Sequence, residues 1–130
     1  MKKARLLLVD DNHDNLEVLA VLLGERYAVF AYDSAPEALK AVTMVKPDVL
    51  VLDIGMPALD GVQCLRAVRS VPGYAHVPAV AVTAFAREVE CREFVQAGFQ
   101  AVVTKPVLDL CHLLNAIDSL LQPLLTAAAS

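Results

Sequence analysis

Val49-Leu50-Val51-Leu52-Asp53-Ile54-Gly55-Met56-Pro57-Ala58-Leu59-Asp60-Gly61 decides how the rest of the chain is read. Four apolar residues run straight into an acid. That is the pattern of a parallel strand buried on both faces, whose last residue emerges at the sheet edge. Gly, Pro and Asp-Gly follow, so the chain turns sharply just after Asp53. Open α/β sheets bind ligands beyond the carboxyl ends of their strands, which makes a carboxylate there a candidate site residue. Taken alone, Asp53 could equally cap the next helix.

Upstream, Arg5 to Val9 reads as a short buried strand ending at Asp10-Asp11. Asn12 suits a helix cap, and Leu16, Leu19, Ala20 and Leu23 recur at helical spacing, with Gly24 as the stop signal. Tyr27 to Tyr32 is a second strand. Ser34-Ala35-Pro36-Glu37 has capping-box spacing, and the helix it opens uses Ala38, Leu39 and Val42 until Pro47. Downstream, Gly61 to Ser70 is helical and broken by Pro72-Gly73. Pro78 to Val82 is a strand ending at Thr83. A helix from Arg87 to Ala97 stops at Gly98. Ala101 to Thr104 is the last strand, ending at Lys105-Pro106. A final helix from Leu108 to Leu121 presents Leu110, Leu113 or Leu114, Ile117 and Leu121 on one face, and Pro123 ends it.

Five alternations of strand and helix imply an α/β fold with a parallel sheet and right-handed crossovers. The natural doubly wound choice is the flavodoxin-like (βα)5 order 2-1-3-4-5, whose switch point lies between the first and third strands. Neighbouring strands are ~4.8 Å apart, so Asp10, Asp11 and Asp53 would crowd into one crevice. Thr83 and Lys105 end strands on the same edge. Residues 1–122 are expected to form one domain, with 123–130 a frayed tail.

Composition narrows the function. The hydrophobic fraction is 57%, yet no apolar run approaches the ~18 residues that span a membrane, so the hydrophobicity is internal. Lys2-Lys3 is not followed by a continuous apolar stretch, and no secretory signal is visible. Net charge is −4 with no basic run, which argues against direct nucleic-acid binding. Cys64, Cys91 and Cys111 form no CxxC and cannot all pair; reduced packing cysteines of a cytoplasmic protein are the expectation.

Crowded carboxylates repel one another unless a cation is present. Lys105 is one candidate, and Mg²⁺ is another, since it takes carboxylate, water and phosphate oxygens. Asp11 and Asp53 suit it, with a backbone carbonyl near Gly55, while Asp10 can orient a metal-bound water. An aspartate beside Mg²⁺ and a lysine is also a candidate nucleophile toward a phosphoryl group. Thr83 can donate its hydroxyl to a phosphoryl oxygen once one is attached.

With Asp10-Asp11, Asp53, Met56-Pro57, Asp60-Gly61, Thr83-Ala84 and Lys105-Pro106 in this order, the chain resembles the receiver domains of two-component response regulators, up to about Leu121. The resemblance implies a phosphorelay switch rather than an independent enzyme. Asp53 would accept a phosphoryl group from a histidine kinase or histidine phosphotransfer protein. Asp10 and Asp11 would serve the Mg²⁺ site, Lys105 would pair with the phosphoryl group or carboxylate, and Thr83 would move to the phosphoryl oxygen. The Lys105-Pro106 bond would be cis, a minority state that tertiary context must hold. One departure stands out: Val102 occupies the position where the family usually has a Tyr or Phe whose ring follows the threonine, with Phe85 and Phe99 as weaker substitutes. Gly55 and Phe85 would bear on the phosphoryl lifetime. The reporting surface would be the face of helix 4, strand 5 and helix 5, where Val89, Leu114 and Leu120 leave a homodimer open.

Two alternatives differ in class. An Asp-nucleophile phosphatase would want a second acid two residues after Asp53, where Gly55 stands. A degenerate receiver would be a phosphorylation-independent docking module; the complete set of acids, Thr83 and Lys105 speaks against it, and Val102 is its support. A flavin carrier on this fold would want a Gly-, Ser- or Thr-rich loop after the first strand, where Asp10-Asp11-Asn12 would repel phosphate. His13, at a helix start, reads as a solvated polar residue.

Overall fold

The computed structural model of the chain describes residues 3–54, 60–83, 88–104 and 110–129. Strands and helices alternate: β1 (Arg5–Val9), α1 (His13–Gly24), β2 (Ala28–Tyr32), α2 (Ala35–Val45), β3 (Val49–Asp53), α3 (Gly61–Arg69), β4 (Ala79–Thr83), α4 (Glu88–Ala97), β5 (Ala101–Thr104) and α5 (Leu110–Ala129). The strands form one sheet in the order β2-β1-β3-β4-β5, and every pairing is parallel. This is the doubly wound order expected from the alternation.

Strand residues alternate between the two faces, as the period of two requires. Leu7, Val9, Leu50, Leu52, Ala79 and Ala81 pack under α2 and α3, together with Phe99. Leu6, Leu8, Val49, Val51, Val80 and Val82 pack under α1 and α5. Every residue of β3 and β4 is buried, which explains the unbroken apolar runs.

Local chemistry sets the helix starts. The Asn12 side chain accepts from the Asn15 amide at 3.1 Å, and the Ser34 hydroxyl accepts from the Glu37 amide at 3.4 Å. The cap of α3 is Asp60, not Asp53: its carboxylate accepts from the Gln63 amide at 2.9 Å, and Gln63 accepts from the Asp60 amide at 3.0 Å. Asp53 is therefore released from structural capping. Helix α2 ends with Lys46 in the left-handed region (φ 52°) before Pro47.

Helix α1 ends at Gly24 as expected, with Glu25 in the right-handed region as its cap. Two other expectations need correction. Helix α5 runs through Pro123 to Ala129 rather than stopping there. A helical proline forfeits one backbone bond; the leucines and alanines on either side are strong helix formers that carry the helix across it. Finally, Cys64 is buried in the core as expected, but Cys111 is exposed and so is not a packing residue.

The amino-terminal edge of the sheet is tied by specific bonds. The Arg5 amide donates to Asp48 Oδ2 at 2.8 Å, the Asp48 amide donates to the Arg5 carbonyl at 2.8 Å, and Arg5 Nη1 donates to the Val45 carbonyl at 2.8 Å. Gln100 Oε1 accepts from the Ala79 amide at 2.8 Å, and Arg69 Nη2 donates to the Val77 carbonyl at 3.0 Å. The Tyr27 hydroxyl donates to Asp118, which also pairs with Arg26 at 3.0 Å and so pins α5 to the start of β2. Burial, then the hydrogen bond to the Asp118 carboxylate, push the Tyr27 phenol well above its usual range.

Candidate functional site

The opposite, carboxyl-terminal edge carries the site. Val9 pairs with Leu52 in the β1–β3 register, so the next residues, Asp10 and Asp53, emerge side by side at the switch point. Asp10 is held by its amide, which donates to the Tyr32 carbonyl at 3.2 Å, and by its carboxylate, which accepts from the Asn12 amide at 2.9 Å. Asp10 and Asp53 are 2% and 4% exposed, whereas Asp11 is open to solvent. One oxygen from each of the three carboxylates lies within 4.8 Å of the others. In the adjacent β4, Asp53 pairs with Val82, and Thr83 follows, 1% exposed.

The segment after Asp53 is seated on its neighbours. The Ile54 amide donates to the Val82 carbonyl at 3.1 Å, extending the ladder by one step. The Gly61 amide faces the Ile54 carbonyl at 3.4 Å, so the α3 start closes back on the end of β3. Asp60 and Gln63 stand three apart, the same capping-box spacing as Ser34 and Glu37, which is the signal of this closure in the sequence. On the rim, His13 Nε2 lies 3.1 Å from Asp33 Oδ2, with both side chains exposed, so His13 is solvated and paired across to the β2–α2 turn.

Of the expected site residues, Asp10, Asp11, Asp53 and Thr83 are brought to one edge. Gly55, Phe85, Lys105 and Pro106 lie outside the described residues, as does the Val89 side chain. Val102 is partly buried against the α2–α3 core, and Phe99 is a fully buried packing residue. Leu114 and Leu120, expected to be surplus on the α5 surface, are partly buried on the α1–α5 core. The large exposed apolar residues among those described are instead Val18, Val21 and Leu22 on α1, Met44 on α2 and Val95 on α4.

Chemically, three converging carboxylates are an all-oxygen donor set, which matches a hard divalent cation such as Mg²⁺. Two of the three are almost wholly shielded from water, where mutual repulsion is least screened.

Comparison with known proteins converges on one family. Its sequence model, described as the response regulator receiver domain, matches residues 6–118. This chain belongs to the response regulator receiver domain family. An uncharacterised 14.6 kDa protein of Leptolyngbya boryana is 36% identical over 113 residues, covering 85% of the chain and 86% of that protein. The response regulator PleD of Caulobacter vibrioides is 33% identical over 108 residues, 82% of the chain but 24% of PleD. The sensor histidine kinase GacS of Pseudomonas protegens is 37% identical over 109 residues, 81% of the chain but 12% of GacS. The chain thus spans a small part of the two longer relatives. In structure it is similar to the chemotaxis protein CheY4 of Vibrio cholerae, with a TM-score of 0.81 and 25% identity over 91% of this chain and 98% of that one. As a receiver domain it is a signalling switch of two-component systems. No described helix is long and apolar enough to cross a membrane.

Proposed function

We propose that Asp53 is the phospho-accepting residue of a two-component phosphorelay and that Mg²⁺ supports the transfer. The observation that carries this reading is the convergence of Asp10, Asp11 and Asp53 at the switch point, with oxygens within 4.8 Å. Asp11 and Asp53, with the Gly55 backbone carbonyl, would hold the ion, and Asp10 would orient one of its waters. When bound, Mg²⁺ supplies positive charge against the oxygens of the transferring group. The donor is a phosphohistidine of a histidine kinase or phosphotransfer protein. An Asp53 carboxylate oxygen forms the bond to phosphorus as the nitrogen–phosphorus bond breaks, and the imidazole leaves with that electron pair. Lys105 pairs with the phosphoryl group, and the Thr83 hydroxyl donates to one of its oxygens. The setting is the cytoplasm, where such donors act.

The added charge draws Thr83 and the following segment inward, and the face of α4, β5 and α5 reports the change. Valine has no ring to swing, so Val102 cannot relay the threonine movement in the family's usual way. The switch moves only as far as phosphate favours one state: a swing from 1:99 to 99:1 takes about 5.5 kcal/mol.

The test is incubation with a small-molecule phosphodonor and Mg²⁺, read by intact mass, beside Asp53→Asn. One phosphoryl group is expected on the wild type, dependent on Mg²⁺, and none on the variant. Absence of the adduct from a folded, Mg²⁺-binding wild type, with cognate-type phosphotransfer proteins also tried, would make the chain a docking module.

A further inference from the structure

The site has a neighbour that carries no side chain. Gly61 is buried and opens α3. A Cβ built on it would lie 2.6 Å from the Asp53 carbonyl oxygen and 3.1 Å from the Asp53 carbonyl carbon, with the Ile54 Cδ1 at 3.0 Å. Real Cβ atoms essentially never stand so close to a backbone oxygen, and a backbone group held in a sheet cannot swing aside as a side-chain tip can. The glycine is not there for its torsion angles: among the described residues the positive-φ glycines are Gly73 and Gly98. The requirement at position 61 is purely one of space, directly against the residue that bears the reacting carboxylate.

We propose that Gly61 is a positioning residue for Asp53: its missing side chain lets the α3 start seat on the Asp53 peptide, and that seating sets where the Asp53 carboxylate stands relative to Asp10 and Asp11. The inference rests on the reading of Asp53 as phosphoacceptor and metal ligand. Two contacts define the seat: the Ile54 amide is anchored to the Val82 carbonyl at 3.1 Å, and the Gly61 amide returns to the Ile54 carbonyl at 3.4 Å. Strand β3 is fixed between β1 and β4, and the helix by its packed face of Cys64, Leu65 and Val68. An added methyl therefore has to part α3 from the β3 end or tilt the Asp53–Ile54 peptide. Either movement is transmitted through one Cα to the carboxylate. Metal affinity is sensitive to such support: loss of an orienting contact behind a ligand weakens binding about 10- to 100-fold.

The discriminating experiment compares Gly61→Ala with Gln63→Ala in the whole chain. Gln63→Ala removes half of the capping box and so loosens the helix start without placing an atom against Asp53. Three quantities are measured: Tm, Mg²⁺ affinity by calorimetric titration, and the backbone amide shift of Asp53 and Ile54 in the metal-free protein by NMR. Both variants are expected to lower Tm. Only Gly61→Ala is expected to move the Asp53 and Ile54 amides and to weaken Mg²⁺ about tenfold, in keeping with the effect of lost ligand support. A folded Gly61→Ala with wild-type amide shifts and wild-type affinity overturns the proposal. So does a loss of affinity in Gln63→Ala as large as in Gly61→Ala, which would make the effect one of general stability. If Gly61→Ala is unfolded in buffer, the measurements are repeated in a stabilising osmolyte; a chain that stays unfolded there assigns Gly61 to folding alone and overturns its positioning role. A wild type that neither binds Mg²⁺ nor accepts a phosphoryl group fails at the earlier step, in the reading of Asp53 itself, even where the amide shifts still report the seat.

Discussion

The two ends of the one sheet use charge in opposite ways. At the amino-terminal edge the polar groups described above serve the backbone: Asp48 takes the Arg5 amide, Arg5 takes the Val45 carbonyl, Gln100 takes the Ala79 amide, and Arg69 takes the Val77 carbonyl. At the carboxyl-terminal edge three groups of one sign converge within 4.8 Å, two of them buried. The first arrangement closes the strand ends with donor–acceptor pairs. The second gathers repulsion that a cation would relieve. One end closes the strand ends, and the other brings three like charges together at the site.

Charge removal should therefore have opposite signs at the two ends. The larger effect is expected from Asp48→Ala, which leaves the half-buried Arg5 amide without its acceptor; stability should fall by about 2 kcal/mol in urea unfolding. Asp53→Asn should do the reverse in metal-free buffer, raising stability by on the order of 1 kcal/mol as like-charge repulsion is relieved. Added Mg²⁺ should then raise the Tm of the wild type more than that of the variant, because only a ligand that binds the folded state stabilises it. A loss of stability in metal-free Asp53→Asn would break the comparison, showing that the carboxylate cluster is already compensated.

A control comes from between the two ends. Cys64, inside the α3 core, has neither a partner charge nor a crowd, and burial alone pushes its thiol up to about 11. Below the ordinary thiol value both folded and unfolded chains hold the proton, so its contribution is intact. As pH rises toward the folded value, the unfolded chain releases its proton first and stability declines. The wild type should lose more urea resistance than Cys64→Ala between about pH 8 and about pH 10.5, where only the thiol of the wild type is coupled to unfolding. A parallel decline in both proteins would assign the alkaline sensitivity elsewhere, with Tyr27 the next group to test.

Much of this was legible beforehand because it is carried by local pattern. The apolar runs of β1, β3 and β4 are unbroken because both faces are covered, and a run ending in an acid marks where the strand meets solvent. Asn12 and Ser34 cap where their side-chain chemistry says they should. What escaped was of two kinds. Pro123 was read as a helix end because the proline rule is local, whereas the helix continues on both sides of it. Leu114 and Leu120 were read as surface because helical periodicity says which residues share a face, not how wide a neighbour lies against it.

The sequence by itself determined the alternation of strands and helices, the parallel sheet and its order, and the residue types at the strand ends, because each follows from periodicity, turn residues and chain connectivity. Only the tertiary structure decided that Asp10 and Asp53 are shielded while Asp11 is open, and that the exposed apolar stripe lies on α1. Those are matters of distance between segments far apart in the chain. The need for glycine at position 61 is the sharpest case: nothing in its own neighbours in sequence forbids a methyl group, and the Asp53 carbonyl, brought to 2.6 Å by the fold, does.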